Sequence, residues 1–217
     1  DKALSFAQQK SFKEITTSFD HKSVVLFQGV TGSGKTEVYI KLIAQAIKKG
    51  EQVLYLLPEI SLTPQMVQRL QERFGTEVTV YHSKFSVHER TEVWNNILSK
   101  DVRAKIIVGT RSALFLPFQN LGLLIVDEEH ELSYKQFDPS PRYHARDSAI
   151  VLAGIHQAKV LLGSATPSIE SSFNRIADKY GWVQLHERYG SVELPEIVTV
   201  DLKLAHKKKT NKGGLYS

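Results

Sequence analysis

Six short aliphatic and β-branched runs divide this chain, at residues 24–27, 53–57, 78–81, 106–108, 121–126 and 160–162. Most are apolar at nearly every position instead of at alternate ones; in the run from Leu121 to Val126 only Gly122 interrupts the aliphatics. Strands of that kind need cover on both faces, which is the condition of parallel strands inside an α/β domain. Longer stretches between them place apolar residues at helical spacing, over 35–49, 64–74, 87–99, 145–156 and 168–180. Gly50 after Lys48 and Lys49 is a helix stop with cations at the negative end of the dipole, and Thr63-Pro64 is a helix start. The alternation predicts an α/β fold, one parallel sheet with helices on both faces. Beyond residue 181 the pattern weakens: 198–200 reads as a last strand and 205–214 as a flexible basic segment.

Composition changes this picture little. The 217 residues, 41% hydrophobic and 24% charged, suit one well-cored domain. The absence of cysteine excludes a disulfide scaffold and a Cys-ligated zinc within the chain. The net charge of +5 suggests nucleic acid, but Lys207, Lys208, Lys209 and Lys212 carry most of it; without them 24 basic residues face 23 acidic ones. No apolar run reaches the ~20 residues that cross a bilayer. The absent cysteines fit the cytosol, and the start, Asp1-Lys2-Ala3-Leu4, with neither an initiator Met nor the apolar core of a signal peptide, reads as that of a piece of a longer protein. The eight histidines show no metal-ligand spacing and read as surface or capping residues, and Trp94 and Trp182 read as packing in the core or at its edge.

Two motifs carry the chemistry. Residues 29–36 read Gly-Val-Thr-Gly-Ser-Gly-Lys-Thr, a G-x-x-x-x-G-K-[ST] phosphate loop between an apolar run and a helical one. A polyphosphate needs many donors at close range, and backbone N–H groups supply them where side chains do not intrude. Gly29, Thr31, Gly32, Ser33 and Gly34 form that cradle, Lys35 is placed to reach the β- and γ-phosphates, and Thr36 to ligate Mg²⁺. The second motif, Asp127-Glu128-Glu129-His130, follows the 121–126 run. An acid at that strand end is where the Mg²⁺ partner of such ATPases sits, so Asp127 is the metal candidate and Glu128 the candidate base for an attacking water. His130 stands where a side chain can report the nucleotide state to a bound strand. ATP and Mg²⁺ are therefore the expected cofactors.

Asp127-Glu128-Glu129-His130 after a strand resembles the DEAH/DExH branch of superfamily 2 helicases and translocases. Leu4-Ser5-Phe6-Ala7-Gln8 resembles the upstream motif whose Gln reads adenine, and Gly163-Ser164-Ala165-Thr166-Pro167 the Ser-Ala-Thr motif that couples hydrolysis to movement. A finer resemblance is to the bacterial replication-restart helicases. It rests on Thr36-Glu37-Val38-Tyr39 after the phosphate loop, Leu57-Pro58-Glu59-Ile60, Gly109-Thr110-Arg111-Ser112-Ala113, Ser133-Tyr134-Lys135-Gln136 and Tyr143-His144-Ala145-Arg146-Asp147. The resemblance implies a RecA-like P-loop NTPase domain, the first lobe of a 3′→5′ DNA helicase, over residues 1–202. Residues 203–217 would be a basic tail or the start of a connection to a second lobe. It implies that Gln8 selects adenine and that His130, Ser164 and Thr166 couple hydrolysis to motion. It also implies partners: single-stranded and forked DNA, primosome proteins and single-stranded DNA-binding protein, in the bacterial cytoplasm at the nucleoid. Zinc is expected in the intact protein, in a module that this chain does not contain.

Ligands of open α/β sheets sit beyond the carboxyl ends of the strands, and the resemblance implies that DNA lies across that rim. Pro58, Thr63 and Gln65 follow the 53–57 run, and Thr110 and Arg111 the 106–108 run, with hydroxyls, amides and a guanidinium suited to phosphate oxygens. Tyr134, Phe137 and Tyr143 interleave with Lys135, Arg142 and Arg146, a pattern that stacks bases while cations track the backbone. The same rings can instead pack locally against the domain. Two other readings stay open from the motifs alone: another superfamily 2 translocase, or a P-loop nucleotide switch or kinase.

Overall fold

Seven strands, all parallel, form the middle layer of the domain in the order β3-β4-β2-β5-β6-β1-β7. The computed structural model describes residues 3–188, 211–212 and 215–216. In chain order the elements are α1 (Phe6–His21), β1 (Val24–Gly29), α2 (Lys35–Lys48), β2 (Gln52–Leu56), α3 (Pro64–Phe74), β3 (Val78–Tyr81), α4 (Val87–Leu98), β4 (Ile106–Gly109), β5 (Leu121–Val126), α5 (Ala145–His156), β6 (Lys159–Ser164), α6 (Ile169–Ile176) and β7 (Gly181–Leu185). A two-stranded antiparallel pair, β8 (Asn211–Lys212) and β9 (Leu215–Tyr216), follows. The strand expected at 198–200 and most of the basic tail lie outside the described residues.

The continuous apolar runs are buried on both faces, as their composition demands. Val25, Phe27, Tyr55, Ile125 and Leu161 point to one side and pack with Ile15 of α1, Ile43 of α2 and Leu70 of α3. Leu26, Leu54, Leu124, Val126 and Leu162 point to the other and pack with Ile97 of α4, Ala149 of α5 and Leu114 of the segment after β4. Because every strand runs the same way, the segments after β1, β2, β4, β5 and β6 all leave from one rim of the sheet.

Two elements escaped the periodicity. α1 is mostly polar, yet Ser5 and Gln8 form a reciprocal capping box, a Ser-x-x-Gln signature that local sequence does contain. β7 is an edge strand paired with β1 alone. The helix expected over 168–180 stops at Ile176, and Asp178 turns the chain with a φ of 55°. Trp94 is not a core residue: it is 43% exposed on α4, while Trp182 sits at the edge with Arg175 3.4 Å above its ring.

Candidate nucleotide-binding site

The loop after β1 closes on itself before α2 begins. Gly32 and Gly34 hold φ values of 78° and 79°, a left-handed conformation that costs other residues energy. A Cβ at Gly34 would also lie 2.4 Å from the Gln8 amide nitrogen. Gln8 is buried, its Oε1 accepting from Ser5 N at 2.9 Å and its Nε2 donating to Ser33 O at 3.0 Å. The upstream Gln is thus brought to the phosphate loop, with both ends of its amide engaged by protein. Lys35 lies against the loop, its Nζ donating to Gly29 O at 3.0 Å and standing 3.6 Å from Glu128 Oε1.

β5 delivers the acids. Asp127 accepts hydrogen bonds from Tyr39 Oη at 2.9 Å and Tyr55 Oη at 3.1 Å, one on each carboxylate oxygen. Gly163 makes room for this arrangement, since a Cβ there would fall 1.9 Å from the Tyr39 hydroxyl. Desolvation, then the neighbouring Glu128 charge, raises the Asp127 carboxyl above its ordinary range despite the two tyrosine bonds and Lys35. Burial, with the Asp127 charge second, keeps both phenols protonated as donors far above neutral pH. Glu128 has a φ of 46°, an uncommon conformation for a non-glycine residue, and the turn aims its carboxylate at Lys35 on one side and at His130 Nδ1, 3.7 Å away, on the other. His130 Nδ1 shares a 2.7 Å hydrogen bond with Ser164 Oγ, and Thr166 N donates to the same oxygen at 3.0 Å.

These groups line a cavity of about 390 Å³ with Gln8, Thr31 to Glu37, Arg69, Asp127 and Glu128 at its walls. The Ser33 hydroxyl is buried there without a hydrogen-bond partner. An orphaned donor, a cradle of left-handed glycines and a cation facing two carboxylates fit a polyphosphate with its divalent ion. Thr36 and Asp127 are the residues available to hold that ion.

The rim divides the remaining candidates. Thr63 and Gln65 are exposed at the start of α3, with the Thr63 hydroxyl capping the helix through Met66 N. Lys135 and Arg142 are exposed, and Lys135 lies 4.9 Å above the Phe137 ring. Arg111 is tied to the turn at 132–134 through a 2.9 Å bond from Nη1 to Ser133 O. Thr110 is 3% exposed and its hydroxyl has no partner. Pro58, Tyr134 and Arg146 do not offer the DNA contacts expected of them; Arg146 is 5% exposed and bonded to Glu129, Ser168 and Asp147. Pro58 is buried and its carbonyl accepts from Ser61 N and Leu62 N, so it offers no surface contact. Tyr134 is 1% exposed, and its hydroxyl donates to Asp127 O at 2.7 Å and Leu56 O at 3.1 Å. Its ring is a prop under the acid-bearing turn and is not available to a base. Tyr143 is half-buried against Phe115, 5.1 Å away edge to face.

Sequence reading also missed a network. Glu129, the unspecified position of its motif, is fully buried; it accepts from Arg146 Nη1 at 3.1 Å, Ser168 N at 2.7 Å and Ser171 Oγ at 2.8 Å. Desolvation works against the Arg146 cation, and its bonds to Asp147 and Glu129 outweigh that and hold its pKa above the ordinary value. Nothing local in the sequence pairs Glu129 with Arg146.

A phosphate loop beside a strand-end acid pair on a doubly wound parallel sheet defines a RecA-like P-loop NTPase domain. The DEAD/DEAH box helicase family model matches residues 5–173, and the chain belongs to that family. It is 46% identical over 202 residues, 92% of the chain, to the Replication restart protein PriA of Bacillus subtilis, and 50% identical over 181 residues to the PriA of Haemophilus influenzae. It spans about a quarter of those proteins, 25% and 24% of their lengths. Among solved structures, RecG bound to a three-way DNA junction superposes with a TM-score of 0.61 at 22% identity, covering 86% of this chain and 24% of that one. The helicase MrfA bound to DNA gives 0.60 at 19% identity, covering 85% and 27%. Both likenesses support the fold.

Proposed function

We propose that this chain is the nucleotide-binding first motor lobe, over residues 1–202, of a 3′→5′ replication-restart DNA helicase driven by Mg·ATP. The observation that carries the reading is the phosphate cavity itself, with its orphaned Ser33 hydroxyl and its Lys35, Asp127 and Glu128 converging, in a chain so similar to PriA proteins. Bound Mg·ATP supplies a phosphoryl group whose transfer to water releases the free energy for movement. Gly29, Thr31, Gly32, Ser33 and Gly34 present donors to phosphate oxygens, and Lys35 neutralises them. Thr36 and Asp127 hold the metal, Asp127 oriented by the Tyr39 and Tyr55 hydroxyls. Glu128 orients the attacking water and accepts its proton. Gln8 selects adenine. His130, through Ser164 and Thr166, passes the state of the acid turn to the loop after β6.

On the rim, Thr63, Gln65, Arg111, Lys135, Arg142 and Tyr143 contact a DNA strand, with Pro58, Thr110 and Tyr134 positioning the backbone behind them. The longer protein would act on single-stranded and forked DNA with primosome proteins and single-stranded DNA-binding protein, hold zinc in a separate module, and work in the bacterial cytoplasm at the nucleoid. ATP hydrolysis by the intact helicase and by this chain alone, with and without forked DNA, tests the reading. Strong DNA stimulation in the intact protein and weak turnover in the chain are expected. DNA-independent turnover in both would overturn the motor in favour of a nucleotide switch.

A further inference from the structure

Arg69 belongs to none of the motifs, yet it lines the phosphate cavity. It stands on α3 and donates from Nη2 to Glu37 Oε1 at 2.7 Å, with Arg73 Nη2 3.9 Å from the other carboxylate oxygen. Glu37 follows Thr36 in the first turn of α2; its side chain is 9% exposed, against 44% for that of Arg69. A guanidinium carries five N–H donors in a planar fork suited to phosphate. The bond to Glu37 uses Nη2, on a side chain that also borders the cavity.

The cation shares the cavity wall with Asp127 and Glu128, the carboxylate end of the site. α3 is lightly anchored, with Leu70 buried and Met66 and Phe74 half-buried beside it. Its N-cap is Thr63 and its first turn carries Gln65, the rim residues proposed above to meet DNA. Six positions separate Thr63 from Arg69, roughly 9 Å along a rigid helix at 1.5 Å per residue.

We propose that Arg69 is a second phosphate-reading cation of this site: Glu37 holds it when no triphosphate is present, and it exchanges that carboxylate for the terminal phosphate when one binds. The exchange moves α3, so the triphosphate state is felt at the rim. The proposal rests on the nucleotide-site reading above, and its test separates the two.

Binding of a non-hydrolysable ATP analogue and of ADP, each with Mg²⁺, is measured by titration calorimetry on the full chain. The variants are Arg69→Ala, Glu37→Gln, the double substitution and Lys35→Ala. Arg69→Ala is expected to weaken the analogue about tenfold and ADP by less than about twofold, because a charge-assisted fork to the terminal phosphate is lost. Glu37→Gln is expected to tighten the analogue, and that gain should vanish in the double variant, since it runs through Arg69. If the pair only pins α3 to α2, both single variants will weaken both nucleotides alike and lower Tm together, and the proposal fails. Binding that is lost in Lys35→Ala but unchanged in Arg69→Ala overturns the role of Arg69 alone. A wild-type chain that binds neither nucleotide overturns the site reading itself.

Discussion

Glu128 and Glu129 are neighbours in one turn and live in opposite environments. Glu128 faces the cavity, half-buried, within 4 Å of the Lys35 and His130 nitrogens but with a hydrogen bond to neither. Glu129 faces the interior, fully buried, its oxygens taken up by Arg146, Ser168 and Ser171. On one side of the turn polar groups are left with unused capacity, including an orphaned Ser33 hydroxyl. On the other side the capacity is consumed. The difference teaches where a ligand belongs: buried polar groups that are satisfied specify the fold, and those left open at the rim of a cavity await a partner.

The contrast can be broken from either side. Arg146→Ala leaves the Glu129 carboxylate buried without its cation and should cost about 3–5 kcal/mol of stability, read as a lowered urea midpoint at unchanged slope. A loss below 1 kcal/mol would show that the serines alone satisfy Glu129. Lys35→Ala touches the open side. It should lower ATP turnover at least about a hundredfold in the longer protein proposed above, by analogy with losing one preorganised donor to a developing charge. The melting temperature should stay nearly unchanged, because Lys35 contributes one bond to Gly29 O. Turnover near wild type would remove the phosphate-loop assignment.

Smaller effects sharpen the comparison. Tyr134→Phe removes the hydroxyl bonded to Asp127 O and Leu56 O, and Leu56 O still accepts from Asp127 N. The expected cost is about 1 kcal/mol, read as a lowered urea midpoint, and an unchanged midpoint would show that the two hydroxyl bonds contribute nothing to stability. Asp127→Asn tests the strain of the open side. The Asp127 carboxyl is raised by desolvation and by Glu128, so its folded pKa lies above its unfolded one. Such a group favours the folded state below the unfolded pKa and loses that contribution as pH rises through the folded pKa. At neutral pH the ionised carboxylate therefore opposes folding of the nucleotide-free protein. Asp127→Asn should raise Tm at pH 7 to 8 and lose that advantage as the pH is lowered. A difference that is independent of pH would assign the effect to packing.

Much of this was legible in order along the chain. The six expected runs match β1 to β6 within a residue or two, because strands covered on both faces must be apolar throughout. Lys35, Asp127 and His130 were readable from spacing alone, because a phosphate loop and a strand-end acid place backbone donors and carboxylates by local geometry. What was not legible depended on partners distant in sequence. Tyr134 reads as a base-stacking ring until its hydroxyl is seen on the carbonyls of Asp127 and Leu56. Pro58 reads as a rim residue until it is seen buried.

The sequence by itself determined the class of fold, the phosphate loop, and the acids at the end of β5, since each is written in contiguous residues whose chemistry is local. The tertiary structure alone decided which side of the acid turn is open and which is closed. It also joined Glu129 to Arg146 across 17 residues, Tyr39 and Tyr55 to Asp127, and Arg69 to Glu37 across 32. The physical reason is that a polar side chain is defined by whether it finds a partner when water is withdrawn, and that is settled only when the sheet brings its loops to one rim.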